Sequence, residues 1–156
     1  MNKFLSLLML TVALLCADVA TVNLSLSQLE NIVYETPSGQ EIKMPKNTKL
    51  IIIAFEKDTG ALINEYLDTK SSLYLERNNS VFIADVNKMP KIIAKIVALP
   101  KLQKYKHPIY LYYDNELERI VPKIEAKITL LYIEDGKIKE IKHISTKKEL
   151  KMAIER

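Results

Sequence analysis

The chain has 156 residues, the length of one ordinary domain, and 48% of them are hydrophobic, which is enough to build a single core. Lysine and arginine outnumber aspartate and glutamate by 23 to 19 without forming a contiguous basic run. A nucleic-acid surface needs a basic stripe with interleaved aromatic residues, whereas here Lys137 and Lys139 are followed by Glu140. The composition therefore predicts a solvated globular protein that does not bind nucleic acid.

The N-terminus has the pattern of an export signal. Lys3 precedes an uncharged apolar run, residues 4–15, which is short for a bilayer span. A cut after Ala17 gives a signal peptide, residues 1–17, and a mature domain, residues 18–156. Lipid attachment at Cys16 is the alternative, although the residue before it, Leu15, is not small, as such signals usually require. We expect export to the periplasm, with no stable membrane span after cleavage.

The mature domain contains no thiol. Cys16 is the only cysteine of the chain and lies in the segment that is either removed or lipidated. A domain of this size folds without disulfides, so export and the absence of cysteine are compatible. Thiol–disulfide chemistry in the mature domain is excluded.

The first half of the mature chain predicts a hairpin, a strand and a helix. Residues 31–36 and 40–44 are short extended runs around the turn Pro37-Ser38-Gly39. Residues 50–55 form a continuous β-branched and aromatic run, typical of a central strand buried on both faces. Asp58 or Thr59 is expected to cap a helix over residues 61–68, and a second short helix, 71–78, follows.

The middle of the chain predicts a second strand and helix and then an antiparallel pair. Residues 81–84 form a buried strand that ends at Asp85. Pro90 suits the first turn of a helix, which Pro100 should break or kink. Pro108 opens a strand, residues 109–113, which ends in a turn at Asp114 and Asn115 and is followed by residues 117–121. The tyrosines at 110, 112 and 113 either pack under a helix, the favoured interpretation, or form an aromatic binding face.

The last third predicts a hairpin and a helix. Residues 128–133 look buried, and residues 137–144 look like a half-exposed edge strand after the turn Glu134-Asp135-Gly136. Ser145 or Thr146, with Glu149 three residues after Thr146, is expected to form a capping box for a final helix that ends at Arg156. The side chains expected to be buried by this helix are Leu150, either Met152 or Ala153, and Ile154.

This order of elements resembles the thioredoxin-like plan. Residues 39–44, leading into residues 50–55, resemble the opening of exported thioredoxin-like and peroxiredoxin-like domains. Residues 128–138 resemble the closing hairpin of a thioredoxin, which is also followed by an amphipathic helix. The resemblance implies an α/β fold, a thioredoxin-like three-layer α/β/α arrangement with a mixed central sheet and an N-terminal β-hairpin.

A further stretch bears on cofactors. Residues 84–90 together with residues 98–101 resemble short exported bacterial proteins of unassigned function without redox cysteines, some of which carry a flavin-containing (FAD/FMN) dehydrogenase label. The only glycines, Gly39, Gly60 and Gly136, are far apart, so no glycine-rich phosphate loop exists. The two histidines, His107 and His143, do not have metal-ligand spacing. We therefore predict neither a flavin nor a metal cofactor.

Departures from the redox family decide the function. The family places Cys-x-x-Cys at the start of the helix after the central strand, and in this chain that region is residues 56–61, Glu56-Lys57-Asp58-Thr59-Gly60-Ala61. The family's cis-proline precedes a hairpin strand, and Pro108 after His107 is one candidate for it. The other hairpin has Lys127 at the corresponding place, before Ile128.

The sequence predicts a redox-inactive thioredoxin-like protein of the periplasm that binds a protein or peptide of the cell envelope. One alternative is a cysteine-free enzyme that uses Glu56 or Asp58 as an acid or base. Another is a structural subunit of an envelope assembly, which an exposed apolar patch on the folded surface would favour. The residues predicted to bind the partner are Glu56, Lys57, Asp58, Thr59, His107 and Pro108.

Overall fold

The structure is a computed structural model that describes residues 24–156. The predicted signal peptide, residues 1–17, and with it Cys16, lie outside the described residues. None of the helices within residues 24–156 is both long and apolar enough to cross a membrane. Every element described below therefore belongs to the predicted mature domain.

Seven strands form one mixed sheet. In chain order they are β1 (Tyr34–Glu35), β2 (Glu41–Ile42), β3 (Leu50–Ala54), β4 (Ser80–Asp85), β5 (Tyr110–Tyr112), β6 (Ile128–Glu134) and β7 (Lys137–Ile144). β1 and β2 form the predicted hairpin, and Gly39 in its turn has a positive φ of 81°, which suits glycine. β3 is buried at every position, and β7 is a half-exposed edge, as their patterns predict.

The helices are short apart from one. In chain order they are α1 (Leu26–Glu30), α2 (Lys57–Asp68), α3 (Tyr74–Arg77), α4 (Lys91–Ile93), α5 (Leu99–Leu102), α6 (Glu116–Ile120) and α7 (Lys147–Ile154). A π-helical turn, Ala94–Ala98, joins α4 to α5. The capping box at α7 is confirmed, because the Thr146 side chain accepts a hydrogen bond from the Glu149 N–H.

The sheet has the order β2-β1-β5-β4-β3-β6-β7. β3, β4 and β5 run parallel to one another, and β6 pairs antiparallel with β3. β3 is therefore an interior strand, as predicted, with β4 on one side and β6 on the other. The parallel strands all end at the same edge of the sheet, which carries the candidate site.

Each face of the sheet has its own core because side chains alternate along a strand. Leu50 and Ile52 of β3 belong to a first core that α2, α3, α5 and α7 cover. Ile51 and Ile53 belong to a second core that α1 and α6 cover. The predicted three-layer α/β/α arrangement is confirmed. Of the two alternatives in α7, Ala153 is buried and Met152 is exposed.

The prediction of an antiparallel pair over residues 109–121 is wrong. β5 runs parallel to β4, and the following residues form the short helix α6 instead of a strand. Leu117 and Val121 both reach the second core, and their separation of four residues is the spacing of a helix.

Tyr110 and Tyr112 are buried against Tyr34, and their ring centroids lie 5.8 and 6.1 Å from that of Tyr34. These tyrosines therefore pack inside the domain, as the favoured interpretation of the sequence predicted.

Pro100 does not break the helical segment. The chain stays helical from residue 91 to residue 102, and the wider π-helical turn lies directly before Leu99. Proline lacks an N–H and its ring crowds the carbonyl of the preceding turn, and a widened turn relieves both. Of the expected break or kink, the break does not occur, and the helix instead changes type directly before Leu99.

Candidate functional site

The predicted site residues of the central strand lie where β3 ends and α2 begins. Glu56 has an extended backbone and precedes the first helical residue, Lys57, so the expected cap at Asp58 or Thr59 is wrong. The Thr59 side chain is buried and its hydroxyl donates to the Glu56 carbonyl at 2.9 Å. Lys57 and Asp58 are exposed, and Asp58 lies in the first helical turn, where a carboxylate is favourable.

Glu56 connects this helix start to the loop before β6. Its Oε1 and Oε2 both accept from the backbone N–H of Ala126, each at 3.2 Å. Ala126 has a positive φ of 57°, an uncommon conformation for a residue with a Cβ. The carboxylate therefore holds the loop, residues 122–127, beside the first turn of α2. Ile124 in this loop is exposed.

His107 and Pro108 lie elsewhere. His107 precedes β5, so it lies towards the start of the parallel strands, and its Nε2 is 2.8 Å from Oδ1 of Asn64. Asn64 is two turns along α2 from Glu56, about 12 Å along the helix axis. Pro108 is exposed, and its peptide bond is trans, like the others in the described chain. The six predicted residues therefore do not form one surface.

The strand pairing shows which of the two candidates, Pro108 or Lys127, has the position of the family's cis-proline. The strand that pairs antiparallel with β3 is β6, so the position before the hairpin strand belongs to Lys127 and not to Pro108. The loop that ends at Lys127 is the one that Glu56 holds. The corner that the family resemblance implies is therefore formed by residues 56–59 and 122–127.

A charged cluster that the sequence analysis missed lies at the same edge of the sheet. Asp85, the last residue of β4, accepts from the Asn87 N–H at 2.9 Å. Burial, with a smaller effect of the nearby Glu118 carboxylate, raises the pKa of Asp85 to about 6. Glu118 forms ion pairs with Lys88, at 3.0 Å, and with Lys123. The rule that ligand sites lie at the carboxyl ends of parallel strands could have found Asp85.

The cluster borders the corner. The Lys123 Nζ lies 5.8 Å from the centre of the Phe55 ring, one residue before Glu56. Hydrogen bonds from Lys123 and Lys88 hold the pKa of Glu118 below its usual range. The acid–base alternative predicted Glu56 or Asp58 as the working carboxylate. Asp85 is a further carboxyl group at this edge of the sheet, and burial raises its pKa.

The comparisons with known proteins concern the fold. No family model matches this sequence, and no curated protein does. StoA from Bacillus subtilis is similar in structure, with a TM-score of 0.52 and 19% identity over 78% of this chain and 93% of that chain. A secreted disulfide oxidoreductase of Mycobacterium tuberculosis has a TM-score of 0.52 and 10% identity over 83% of this chain and 97% of that one.

A third similar structure comes from a peroxide-reducing protein. The bacterioferritin comigratory protein of Xanthomonas campestris has a TM-score of 0.54 and 10% identity over 83% of this chain and 93% of that chain. At such identities the likeness establishes the fold and nothing more. The protein therefore has a thioredoxin-like α/β fold, as the sequence resemblance implied. Its single cysteine precedes the described domain, so the corner holds no thiol.

Proposed function

We propose that this protein is a redox-inactive thioredoxin-like module of the periplasm that binds a protein or peptide of the cell envelope. The observation that carries the proposal is the contact between Glu56 and Ala126, which joins the start of α2 and the loop 122–127 into one surface. That surface lies where the resemblance places the redox cysteines of the family. Lacking a thiol, it can hold a partner but cannot exchange disulfides with it.

The surface offers both charged and apolar contacts. Lys57 and Asp58 are exposed side by side on the first turn of α2, and Ile124 is exposed in the loop that Glu56 holds. An apolar side chain surrounded by polar groups is the usual arrangement in a protein–protein contact. His107 and Pro108 are no longer part of the proposed surface, because His107 contacts α2 two turns away from Glu56.

The test is capture of envelope proteins by the exported protein and by its K57A/D58A variant, with cross-linking and mass spectrometry. We expect the variant to capture the partner at least about fivefold less well, a loss of about 1 kcal/mol. The matched control is E41A/K43A, which also removes one acid and one lysine but lies at the opposite side of the sheet, at β2. Equal capture by the K57A/D58A variant and the wild type would disprove the proposed surface.

A further inference from the structure

The outer side of the helical segment 91–102 carries an exposed group of aliphatic side chains. The segment is anchored from its inner side by Ala94, which is buried, and by Leu99 and Leu102, which pack against the first core. The four outward side chains, which we call the aliphatic face, are Ile92, 72% exposed, Ile93, 48%, Ile96, 69%, and Val97, 64%. Adjacent exposed side chains of this size indicate a binding surface, since single ones are common but groups are not.

The charged side chains of the chain segment that carries the aliphatic face, residues 86–113, are all positive. Between Asp85 and Asp114 the chain has six lysines and no acidic residue. Lys88 pairs with Glu118. The other five are exposed, and in the part of the chain that the structure describes none of them pairs with a carboxylate: Lys91, Lys95, Lys101, Lys104 and Lys106. A ligand for this surface is therefore apolar and negatively charged.

The kinds of side chain favour lipid over protein. Residues that dominate protein–protein contacts are tryptophan, tyrosine and arginine, and the aliphatic face has none of them. Its charges are lysines, which are flexible point charges without the paired geometry that arginine offers to a carboxylate. Lysines beside an exposed apolar face are typical of helices that lie at a membrane surface.

We infer that the aliphatic face docks onto an anionic phospholipid surface. Ile92 and Ile96, the most exposed of the four, enter the boundary between headgroups and acyl chains, and Lys91 and Lys95 lie at the phosphates. The segment lies on the membrane, because 12 residues are too few to span it. This contact is separate from the proposed partner surface, which lies at the start of α2.

The experiment measures co-sedimentation of the exported protein with vesicles of phosphatidylglycerol and phosphatidylcholine, and with vesicles of phosphatidylcholine alone. We expect binding to the anionic vesicles that weakens with salt. I92S/I96S should bind roughly tenfold less, and K91Q/K95Q roughly fivefold less for each lysine lost. Both pairs are exposed, so thermal melts should match the wild type.

Two control variants isolate the face. L73S/M152S removes two exposed apolar side chains from α7 and the turn before α3, and K139Q/K148Q removes two exposed lysines. Mass spectrometry identifies the N-terminus of each protein, and only proteins with the same N-terminus are compared. Any membrane binding by residues 1–17 then contributes equally to all of them. Equal binding by I92S/I96S and the wild type overturns the inference. A second result would also overturn the inference: the wild type forms a dimer and does not bind vesicles, and I92S/I96S is a monomer. The aliphatic face would then join two copies of the chain.

Discussion

At the scale of single residues, Asn64 and His107 form a buried polar pair beside Phe82 of the first core. The imidazole Nε2 donates to the Asn64 Oδ1, which leaves Nδ1 buried without a hydrogen-bond partner among the described residues. Burial lowers the pKa of His107 to about 4, so the ring is neutral at pH 7. The sequence suggested a surface role for His107, because a residue before Pro108 was expected to face the corner.

Removing both members of this pair should cost less than the sum of the losses from N64L and H107L alone. N64L leaves the imidazole N–H unpaired in the core, and we expect it to lower the free energy of unfolding by about 1–3 kcal/mol. In N64L/H107L neither polar group remains, so the total loss should be smaller than the sum of the two single losses. Urea unfolding of the four proteins measures this coupling, and strictly additive losses would show that the hydrogen bond contributes nothing.

At the scale of secondary structure, the best-defined helix start is that of α7. Thr146 accepts from the Glu149 N–H at 3.2 Å, and Glu149 Oε2 accepts from the backbone N–H groups of Thr146 and Ser145. The Thr146 hydroxyl also donates to Glu149 Oε2, at 2.8 Å, and this bond together with the two backbone N–H groups holds the pKa of Glu149 below its usual range. Leu150, Ala153 and Ile154 then pack against the first core.

Breaking this cap should weaken the whole domain, because α7 closes one face of the sheet. T146A removes the side-chain acceptor, and we expect a loss of about 1 kcal/mol in the free energy of unfolding. T146S keeps the hydroxyl and should lose at most a few tenths of a kcal/mol. Denaturant unfolding compares the two, and equal stability of T146A and T146S would contradict the role of the cap.

The elements were predictable where the sequence pattern was long or chemically specific. The apolar run at β3, the turn at Gly136 and the capping box at Thr146 each define one structure. The structure of residues 117–121 was not predictable, because a short apolar run is equally compatible with a strand or a helical turn. α1, five residues long, was missed for the same reason. The lysines around the aliphatic face were overlooked because they are spaced and not consecutive.

At the scale of the whole molecule, two buried titratable groups act on stability in opposite directions. The native pKa of Asp85 is about 6, above the ordinary value of 3.8. The ionised carboxylate therefore destabilises the folded state above pH 6, and the stability increases as the pH falls through 6 and the group is protonated. The native pKa of His107 is about 4, below the ordinary 6.5, so acid favours the unfolded chain in the same range. Between pH 6.5 and pH 4.5 each effect amounts to about 2 kcal/mol.

The two effects should nearly cancel in the wild type and be visible in variants. Between pH 6.5 and 4.5 we expect the D85N variant to lose about 2 kcal/mol of stability and N64L/H107L to gain a similar amount. The wild type should change much less. Unfolding curves at several pH values measure this, and a D85N variant with the wild-type slope would show that Asp85 titrates normally.

The candidate site could be predicted in part. Its location at the end of β3 agrees with the rule that ligand sites lie where parallel strands end, and Glu56 was predicted because it lies in the region where the family has Cys-x-x-Cys. The loop 122–127 could not be, since its position depends on the pairing of β6 with β3, which no local pattern shows. Asp85 was passed over because its raised pKa arises from burial, which depends on the complete fold.

The pairing of β3 with β6 also determines when the domain can fold. The two strands are separated by about 75 residues, which take roughly 4–15 s to synthesise. Until β6 is available, β3, an uncharged run of high β-propensity, has one side open to pairing with other chains. A nascent chain therefore exposes this aggregation-prone segment for seconds, and its yield in the cell should depend on the chaperones that protect the segment.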